Sequence, residues 1–192
     1  MSDTPVQIRR WTRPEYDRLI EVGILRTGDR VELLGGQLCV SEPQNSPHAT
    51  AISLASEALR QAFTGLWHIR IQSPIALDQE SEPEPDLVVV AGRPRDYLAD
   101  HPARPALVVE VADSSLAVDR EHKGSLYARA RLPEYWIVNL VDRVVEVYRE
   151  PVPSASAFYG WAYRVGQTLR PGEHVTPLAA PTVRILIADL LP

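Results

Sequence analysis

The pattern of apolar and polar positions predicts two buried strands near the middle of the chain. Leu87–Ala91 is a continuous apolar run, and Ala106–Ala112 is a second run rich in valine. Runs of this length are typical of strands that are covered on both faces of a sheet. The second run contains one acid, Glu110, whose ionised carboxylate is costly there unless a cation or hydrogen bonds compensate it.

Two helices are predicted before these strands. The first should begin at Thr12, with Pro14 in its first turn and Glu15 completing a capping box, and it should end at Gly23. The second is expected over His48–Phe63, where apolar residues recur on one helical face. Further strands are expected at Trp67–Gln72, Pro74–Leu77, Glu134–Leu140, Val144–Tyr148, Ala162–Val165 and Val183–Ile187.

The segment Arg30–Val40 is predicted to fold as a hairpin, because two short alternating runs meet at Gly35–Gly36. Glu32 lies on its first strand. Since an alternating strand exposes every second residue, Glu32 is either a solvent-facing or structural hairpin acid, or part of a site.

A helix that begins near Asp119 would place Asp119, Lys123 and Tyr127 on one face, since their spacing is i, i+4 and i+8. Lys123 is the only lysine, whereas the other 19 basic residues are arginines. Either an arginine-rich composition left one lysine by chance, or this position requires a compact ammonium that can contact a water or phosphate oxygen. Lys123 is also the nearest candidate in sequence to compensate Glu110.

Composition limits the class of protein. A chain of 192 residues with 45% apolar content is long enough for one core, so a single domain over residues 1–192 is expected. The net charge of −5 argues against a broadly basic protein that binds nucleic acid non-specifically, but it is compatible with a local basic groove. The single Cys39 suggests a reducing compartment. No apolar run has the length or position of a signal-peptide core or of a segment that spans a bilayer. A cytoplasmic protein without membrane contact is therefore expected.

Asp86 and Glu110 outline a metal site, provided that their strands are neighbours in the sheet. Mg²⁺ prefers a few carboxylates together with waters and phosphate oxygens, and it polarises a phosphoryl group and makes a bound water more acidic. Lys123 would then orient the attacking water or neutralise charge on the phosphate. The alternatives are that Asp86 caps a turn and that Glu110 pairs with an arginine.

Taken together, these residues resemble the Uma2 family of restriction endonucleases, a branch of the PD-(D/E)XK nuclease superfamily. The resemblance covers most of the chain, and it is carried by Glu32–Gly36, His48, Pro85–Asp86, Glu110–Ala112, Asp119, Lys123, Tyr127 and Glu134–Val138. It implies an α/β (α+β) fold of the restriction-endonuclease type, with a mixed central sheet flanked by helices.

The resemblance also implies roles for individual residues. Asp86 and Glu110 would ligate Mg²⁺ or Mn²⁺, the backbone carbonyl of Val111 would add a third oxygen, and Glu32 would be an outer acid of the metal site. The superfamily pattern places its lysine two residues after the strand acid, where this chain has Ala112. Lys123 on the following helix is then its replacement.

His48 and Tyr127 each allow a structural interpretation. A histidine at a helix start serves either as a local hydrogen-bonding residue or as a ligand. A tyrosine at helical spacing serves either as a core or rim residue or as a catalytic group.

These observations predict a metal-dependent endonuclease that hydrolyses phosphodiester bonds of DNA, with Asp86, Glu110 and Lys123 as catalytic residues. A homodimer is expected, since cutting both strands often uses a two-fold axis. Three arginines near Lys123 are candidates for phosphate contacts, namely Arg120, Arg129 and Arg131. The rival hypothesis is a catalytically inactive nuclease-fold module for binding or assembly, which Ala112 and the acidic charge balance favour.

Overall fold

Buried apolar strands form a six-stranded sheet at the centre of the structure. The structure is a computed structural model that describes residues 8–26, 28–41 and 43–192. The strands are β1 Val31–Leu34, β2 Gln37–Val40, β3 Trp67–Ile71, β4 Leu87–Ala91, β5 Leu107–Ala112, β6 Glu134–Asn139, β7 Val144–Pro153, β8 Trp161–Leu169, β9 His174–Val175 and β10 Ile185–Leu186. The helices are α1 Arg13–Glu21, α2 Ser46–Ala62, and α3, which joins Leu116–Val118, a π-helical turn Asp119–Lys123 and Gly124–Arg129.

The sheet has the order β3-β4-β5-β6-β7-β8 and is mixed. Only β5 and β6 run parallel to each other, and a parallel pair requires a crossover connection, which α3 supplies. The remaining neighbours are antiparallel. The predicted mixed sheet with flanking helices is therefore confirmed, and the strands that carry Asp86 and Glu110 are neighbours.

Alternation along β5 divides the core between the two faces of the sheet. Val109 and Val111 pack in the cluster that contains apolar residues of α2, whereas Val108 and Ala112 pack in the cluster that contains Tyr127 of α3. Because successive side chains point to opposite faces, the side chain of Glu110 belongs to the α3 side. An acid thus occupies a position in an otherwise apolar layer.

The helix starts follow from local capping. The predicted capping box of α1 is present, since the Thr12 N–H donates to Glu15 Oε2 over 3.0 Å. The second helix begins two residues earlier than predicted, at Ser46, because Asn45 Oδ1 accepts a hydrogen bond from the His48 N–H and caps it.

Four strand predictions were wrong in extent by more than one residue. The strands predicted at Val144–Tyr148 and Ala162–Val165 are longer in the structure, as β7 and β8. Pro74–Leu77 forms no strand, because the N–H groups of Ile75 and Leu77 donate to Pro83 O and Ser81 O in the following loop and that of Ala76 donates to Pro102 O. In the predicted strand Val183–Ile187, only Ile185–Leu186 pairs as a strand, and a 3₁₀ helix follows over Ile187–Leu190. The expectation of a single domain stays a prediction.

Within residues 8–26, 28–41 and 43–192, none of the helices has both the length and the apolar character that crossing a bilayer requires.

The hairpin that carries Glu32 depends on glycine at its turn. Gly35 and Gly36 both have positive φ angles, 56° and 80°, as a two-residue hairpin turn of this type requires. A Cβ at Gly35 would also overlap the ring of Tyr159. We expect Gly35→Ala to lower the free energy of unfolding by about 3 kcal/mol, from backbone strain plus overpacking, in urea denaturation.

Gly65 provides the matched control, since its φ of 77° is also positive but a Cβ there would meet nothing within 4 Å. Gly65→Ala should cost only the backbone strain, about 1 kcal/mol. Equal losses in the two variants would show that the Tyr159 ring moves away from the added methyl group at no cost, which contradicts the expected overpacking.

Candidate functional site

The two strand acids lie side by side where β4 begins. The antiparallel register that pairs Leu87 with Val109 continues to place Asp86 opposite Glu110. The Asp86 N–H donates to Glu110 Oε2 over 3.4 Å, and the Val111 N–H donates to Asp86 Oδ2 over 2.8 Å. Both acids are buried. The structure therefore brings the two carboxylates together, and Asp86 is bonded across the sheet to β5.

Helix α3 directs two side chains at Glu110. Lys123 Nζ lies 3.0 Å from Glu110 Oε1, and the Tyr127 hydroxyl donates to the same oxygen over 2.6 Å. Lys123 Nζ also lies 3.4 Å from Glu32 Oε2. The partner of the buried acid is thus the lone lysine and not an arginine. Lys123 joins a carboxylate of β5 to a carboxylate of β1.

A π-helical turn carries Lys123. The Gly124 N–H bonds to the Asp119 carbonyl, five residues back, and the Tyr135 hydroxyl donates to that carbonyl over 3.1 Å. A Cβ at Gly124 would lie only 3.3 Å from the Asp119 oxygen. The predicted i, i+4 spacing assumed a regular α-helix, whereas the extra residue of a π turn changes the register between the two halves of α3. Lys123 and Tyr127 still reach the same oxygen.

Glu32 is buried, with 5% of its surface exposed, so it is not a solvent-facing hairpin acid. Besides Lys123, its carboxylate accepts hydrogen bonds from Ser41 Oγ over 2.5 Å and from the Glu84 N–H over 3.0 Å. These contacts hold Glu32 beside the lysine. Its role as an outer metal ligand stays a prediction.

The first turn of α2 brings His48 to the site. His48 Nε2 lies 3.2 Å from Asp86 Oδ1. Asn45, which caps this helix, donates from Nδ2 to Asp113 Oδ2 over 2.7 Å, so the helix start is tied to the loop after β5. His48 therefore bonds a predicted metal ligand, and the cap explains how the helix start is held there.

The cleft has more buried carboxylates than cations. Burial raises the pKa of Glu110 above its ordinary value, against the opposing effect of Lys123. Burial likewise raises the pKa of Asp119 and that of Glu84. For Lys123, burial lowers the pKa, but Glu110, Glu32 and Asp119 outweigh it and hold the pKa well above its usual range. Lys123 is therefore a fixed cation, and a further cation would relieve the surplus negative charge.

The donor set of Asp86 and Glu110 fits a hard divalent cation. In residues 8–26, 28–41 and 43–192, no three His, Cys, Asp or Glu side chains are arranged to hold a metal by themselves. Mg²⁺ takes one or two carboxylates and completes its shell with waters and phosphate oxygens, and Asp86 and Glu110 offer two carboxylates. Val111 bonds Asp86 through its N–H, and ligation by its carbonyl stays a prediction.

The acids and Lys123 open into a cavity of about 570 Å³. Glu84 also lines this cavity, although the sequence alone did not single it out. The available signal was its position, because it is an acid only two residues before Asp86. Asp119 also lines the cavity, and it accepts a hydrogen bond from Ser115 Oγ over 2.6 Å.

The three arginines proposed for phosphate contacts have partners outside this cavity. Arg120 makes two hydrogen bonds to Glu146, of 3.0 and 2.5 Å, and Arg129 pairs with Asp78 at 2.7 Å. Arg131 lies over a tryptophan ring, 5.4 Å from its centroid. None of them lines the cavity, and their contacts with phosphates of a bound nucleic acid stay a prediction.

Comparison with known proteins agrees with this geometry. A family model described as "Uma2: Putative restriction endonuclease" matches residues 13–184. The fold is similar to a crystal structure of "a putative nuclease belonging to DUF820" from Anabaena variabilis ATCC 29413, with a TM-score of 0.67 and 15% identity over 88% of this chain and 94% of that chain. No curated protein matches the chain.

The structural similarity, at this low identity, confirms the predicted nuclease-like fold and shows the fold alone. The family match spans most of the chain and includes Glu32, Asp86, Glu110 and Lys123. This protein therefore belongs to the Uma2 family of restriction-endonuclease-like proteins.

Proposed function

We propose that this protein is a metal-dependent endonuclease that hydrolyses phosphodiester bonds of DNA. Asp86 and Glu110 hold Mg²⁺ or Mn²⁺, and Lys123 acts beside them. The observation that supports this most strongly is the convergence of these three side chains in one buried cleft of a Uma2 protein. Families of the restriction-endonuclease type generally use divalent metals.

When bound, the metal ion would polarise the phosphoryl group and make a bound water more acidic. The protein side chains prepare the geometry around it. Tyr127 and Lys123 engage Glu110 Oε1, which leaves Oε2 on the side of Asp86. Lys123 donates a hydrogen bond to Glu110 and forms an ion pair with Glu32, so the ammonium keeps protons that it can donate to a water or to a phosphate oxygen.

The family description supports DNA as the substrate. A homodimer would bring two such clefts to the two strands of a duplex, as two-fold symmetric assemblies do. A cytoplasmic location is part of the same proposal and is supported by the use of a single cysteine, Cys39.

A second candidate is the non-catalytic binding or assembly module. It is favoured by Ala112 at the usual lysine position and by the fact that Lys123 already neutralises Glu110 without a metal. The two candidates differ in metal binding and in the effect of Lys123, which the following predictions use.

We expect isothermal titration calorimetry to show that Mn²⁺ binds the wild-type protein. The substitutions Asp86→Asn and Glu110→Gln should each weaken this binding at least about tenfold, which corresponds to about 1.4 kcal/mol. Each change removes one anionic oxygen donor. Asp189→Asn, which changes an exposed acid outside the cavity, should bind like the wild type. Equal affinity in all three variants would place any bound metal elsewhere.

We expect Lys123→Met to lower the rate of DNA cleavage with Mn²⁺ by about 100-fold or more, because a donor aimed at the reacting group is lost. Mn²⁺ binding should persist, since a competing cation beside Glu110 is removed. The substrates are plasmid DNA and single-stranded DNA. The control is Arg95→Met, which removes an exposed cation from a 3₁₀ helix. Unchanged cleavage in Lys123→Met would exclude a catalytic role for the lysine.

Metal affinity should depend on pH near neutrality. Burial raises the pKa of Glu110, so its carboxyl holds a proton at pH values where an ordinary glutamate is ionised, and the metal must displace that proton. We expect the affinity for Mn²⁺ to decrease as the pH is lowered from about 8 to about 6. Calorimetry in buffers of different ionisation enthalpy measures the protons that are released when Mn²⁺ binds.

The control for this pH dependence is His48→Gln, which removes the imidazole beside Asp86. The dependence should persist in this variant. If it disappears, the proton that the metal displaces comes from the histidine and not from Glu110.

A further inference from the structure

A second cavity lies beside the candidate cleft, along an exposed face of α2 and the end of β3. We call it the α2 groove, and its volume is about 770 Å³, in the range of ligand-binding cavities. Its polar lining consists mainly of Gln44, Ser53, Ser56, Arg60, Gln61 and Gln72. Among the helix residues, Ser53, Ser56 and Arg60 recur every three or four positions, so they share one face.

The α2 groove is continuous with the candidate cleft. Gln44 and Gln72 line both cavities. Moreover, the Gln72 N–H donates to the backbone carbonyl of Asp86 over 3.0 Å, so the junction is tied to the strand end that carries the predicted metal ligand. An extended ligand that reaches the two acids and continues past Gln72 enters this groove.

Gln72 has a conformation that side chains seldom adopt. Its φ is 44°, in the left-handed region, where glycine would be accommodated without strain. Gln72 thus places a long amide side chain at the junction of the two cavities, on a backbone that glycine would adopt without strain.

The α2 groove differs in chemistry from the inner walls of the cleft. Glu32, Glu84 and Asp119 line the cleft and repel phosphates away from a bound metal, whereas Arg26 and Arg30 are exposed residues of the same lining. The groove instead offers amides and hydroxyls, and its acid, Glu57, accepts a hydrogen bond from Gln61 over 3.4 Å.

The far end of the groove provides a cation. Arg60 lies in the last turn of α2, is exposed, and makes no ion pair with any residue in 8–26, 28–41 and 43–192. Its guanidinium is therefore available to a phosphate.

We propose that the α2 groove binds the nucleotides on one side of the cleaved phosphodiester. Gln72 contacts the first nucleotide beyond the metal-binding acids, and Arg60 contacts a phosphate further along the strand. This inference rests on the proposed function, because it takes a nucleic-acid strand as the substrate.

The test measures binding of a fluorescein-labelled single-stranded oligonucleotide of about 12 nucleotides, long enough to span cleft and groove, by fluorescence anisotropy in Ca²⁺. We expect Gln72→Gly and Arg60→Ala each to weaken binding about five- to tenfold. In Arg60→Ala, the slope of log affinity against log salt concentration should decrease in magnitude by about 0.7, because one phosphate contact is lost. In Gln72→Gly, this slope should not change.

Two control variants separate groove contacts from general effects. Arg143→Gly relieves a left-handed φ of 55° at another turn and removes a cation, and Arg164→Ala removes an exposed arginine that pairs with Glu150. Both should bind the oligonucleotide like the wild type. The thermal midpoint of Gln72→Gly should not be lower than that of the wild type, since backbone strain is relieved.

Unchanged affinity in both Gln72→Gly and Arg60→Ala overturns the inference, and so does a wild-type protein that binds no oligonucleotide. Hydrolysis of bis-p-nitrophenyl phosphate by the wild type with Mn²⁺ tests the proposed chemistry separately, because this small ester does not reach the groove. Ester hydrolysis without oligonucleotide binding rejects the groove and retains the phosphodiesterase. Groove-dependent binding without hydrolysis supports the groove and rejects catalysis.

Discussion

The contact of Lys123 with Glu110 and Glu32 is the interaction on which the candidate site depends. It joins strand β5, the helix α3 that follows this strand, and the N-terminal hairpin, which is far from both in sequence. Each of these charges would cost several kcal/mol if it were buried alone, and together they compensate one another. The hairpin turn at Gly35, the π turn before Gly124 and the hydroxyl of Tyr127 all serve to keep this contact in place.

In the proposed function, the same contact brings the lysine to the strand acid from the helix and not from the strand. In this chain the strand position two residues after the acid is Ala112, whose methyl group packs in the apolar layer below the helix. The ammonium instead approaches Glu110 from α3, above the sheet. Moving the lysine from strand to helix changes the direction of its approach and keeps its distance to the acid within hydrogen-bond range.

Charge is distributed unevenly between the cleft and its surroundings. The cleft concentrates carboxylates around one lysine, whereas the polar part of the lining of the adjoining α2 groove is mostly neutral amides and hydroxyls, beside Ala49, Ile52 and Ile71. Arginines near α3 are engaged with Glu146, Asp78 and an aromatic ring and so serve the fold. In the proposed function, a metal ion would supply the positive charge for the reacting phosphate, and the groove would hold the flanking strand.

The sequence by itself determined the features that depend on local periodicity and capping. The apolar runs of β4 and β5, the capping box at Thr12 and the Gly-Gly hairpin all follow from contacts within a few residues. The lone acid Glu110 and the lone lysine Lys123 could be singled out for the same reason, since each departs from its local pattern. Only the tertiary structure decided which side chains meet.

Three features of the site were outside the reach of local patterns. The order of the strands in the sheet places Asp86 opposite Glu110, and the hairpin places Glu32 beside Lys123. The π turn changes which residues of α3 lie on the same face. Local sequence also could not show that Pro74–Leu77 would bond to its own loop or that Arg120 would face Glu146. Periodicity reports which face of an element is buried, whereas the partner on that face is fixed by packing between residues distant in the chain.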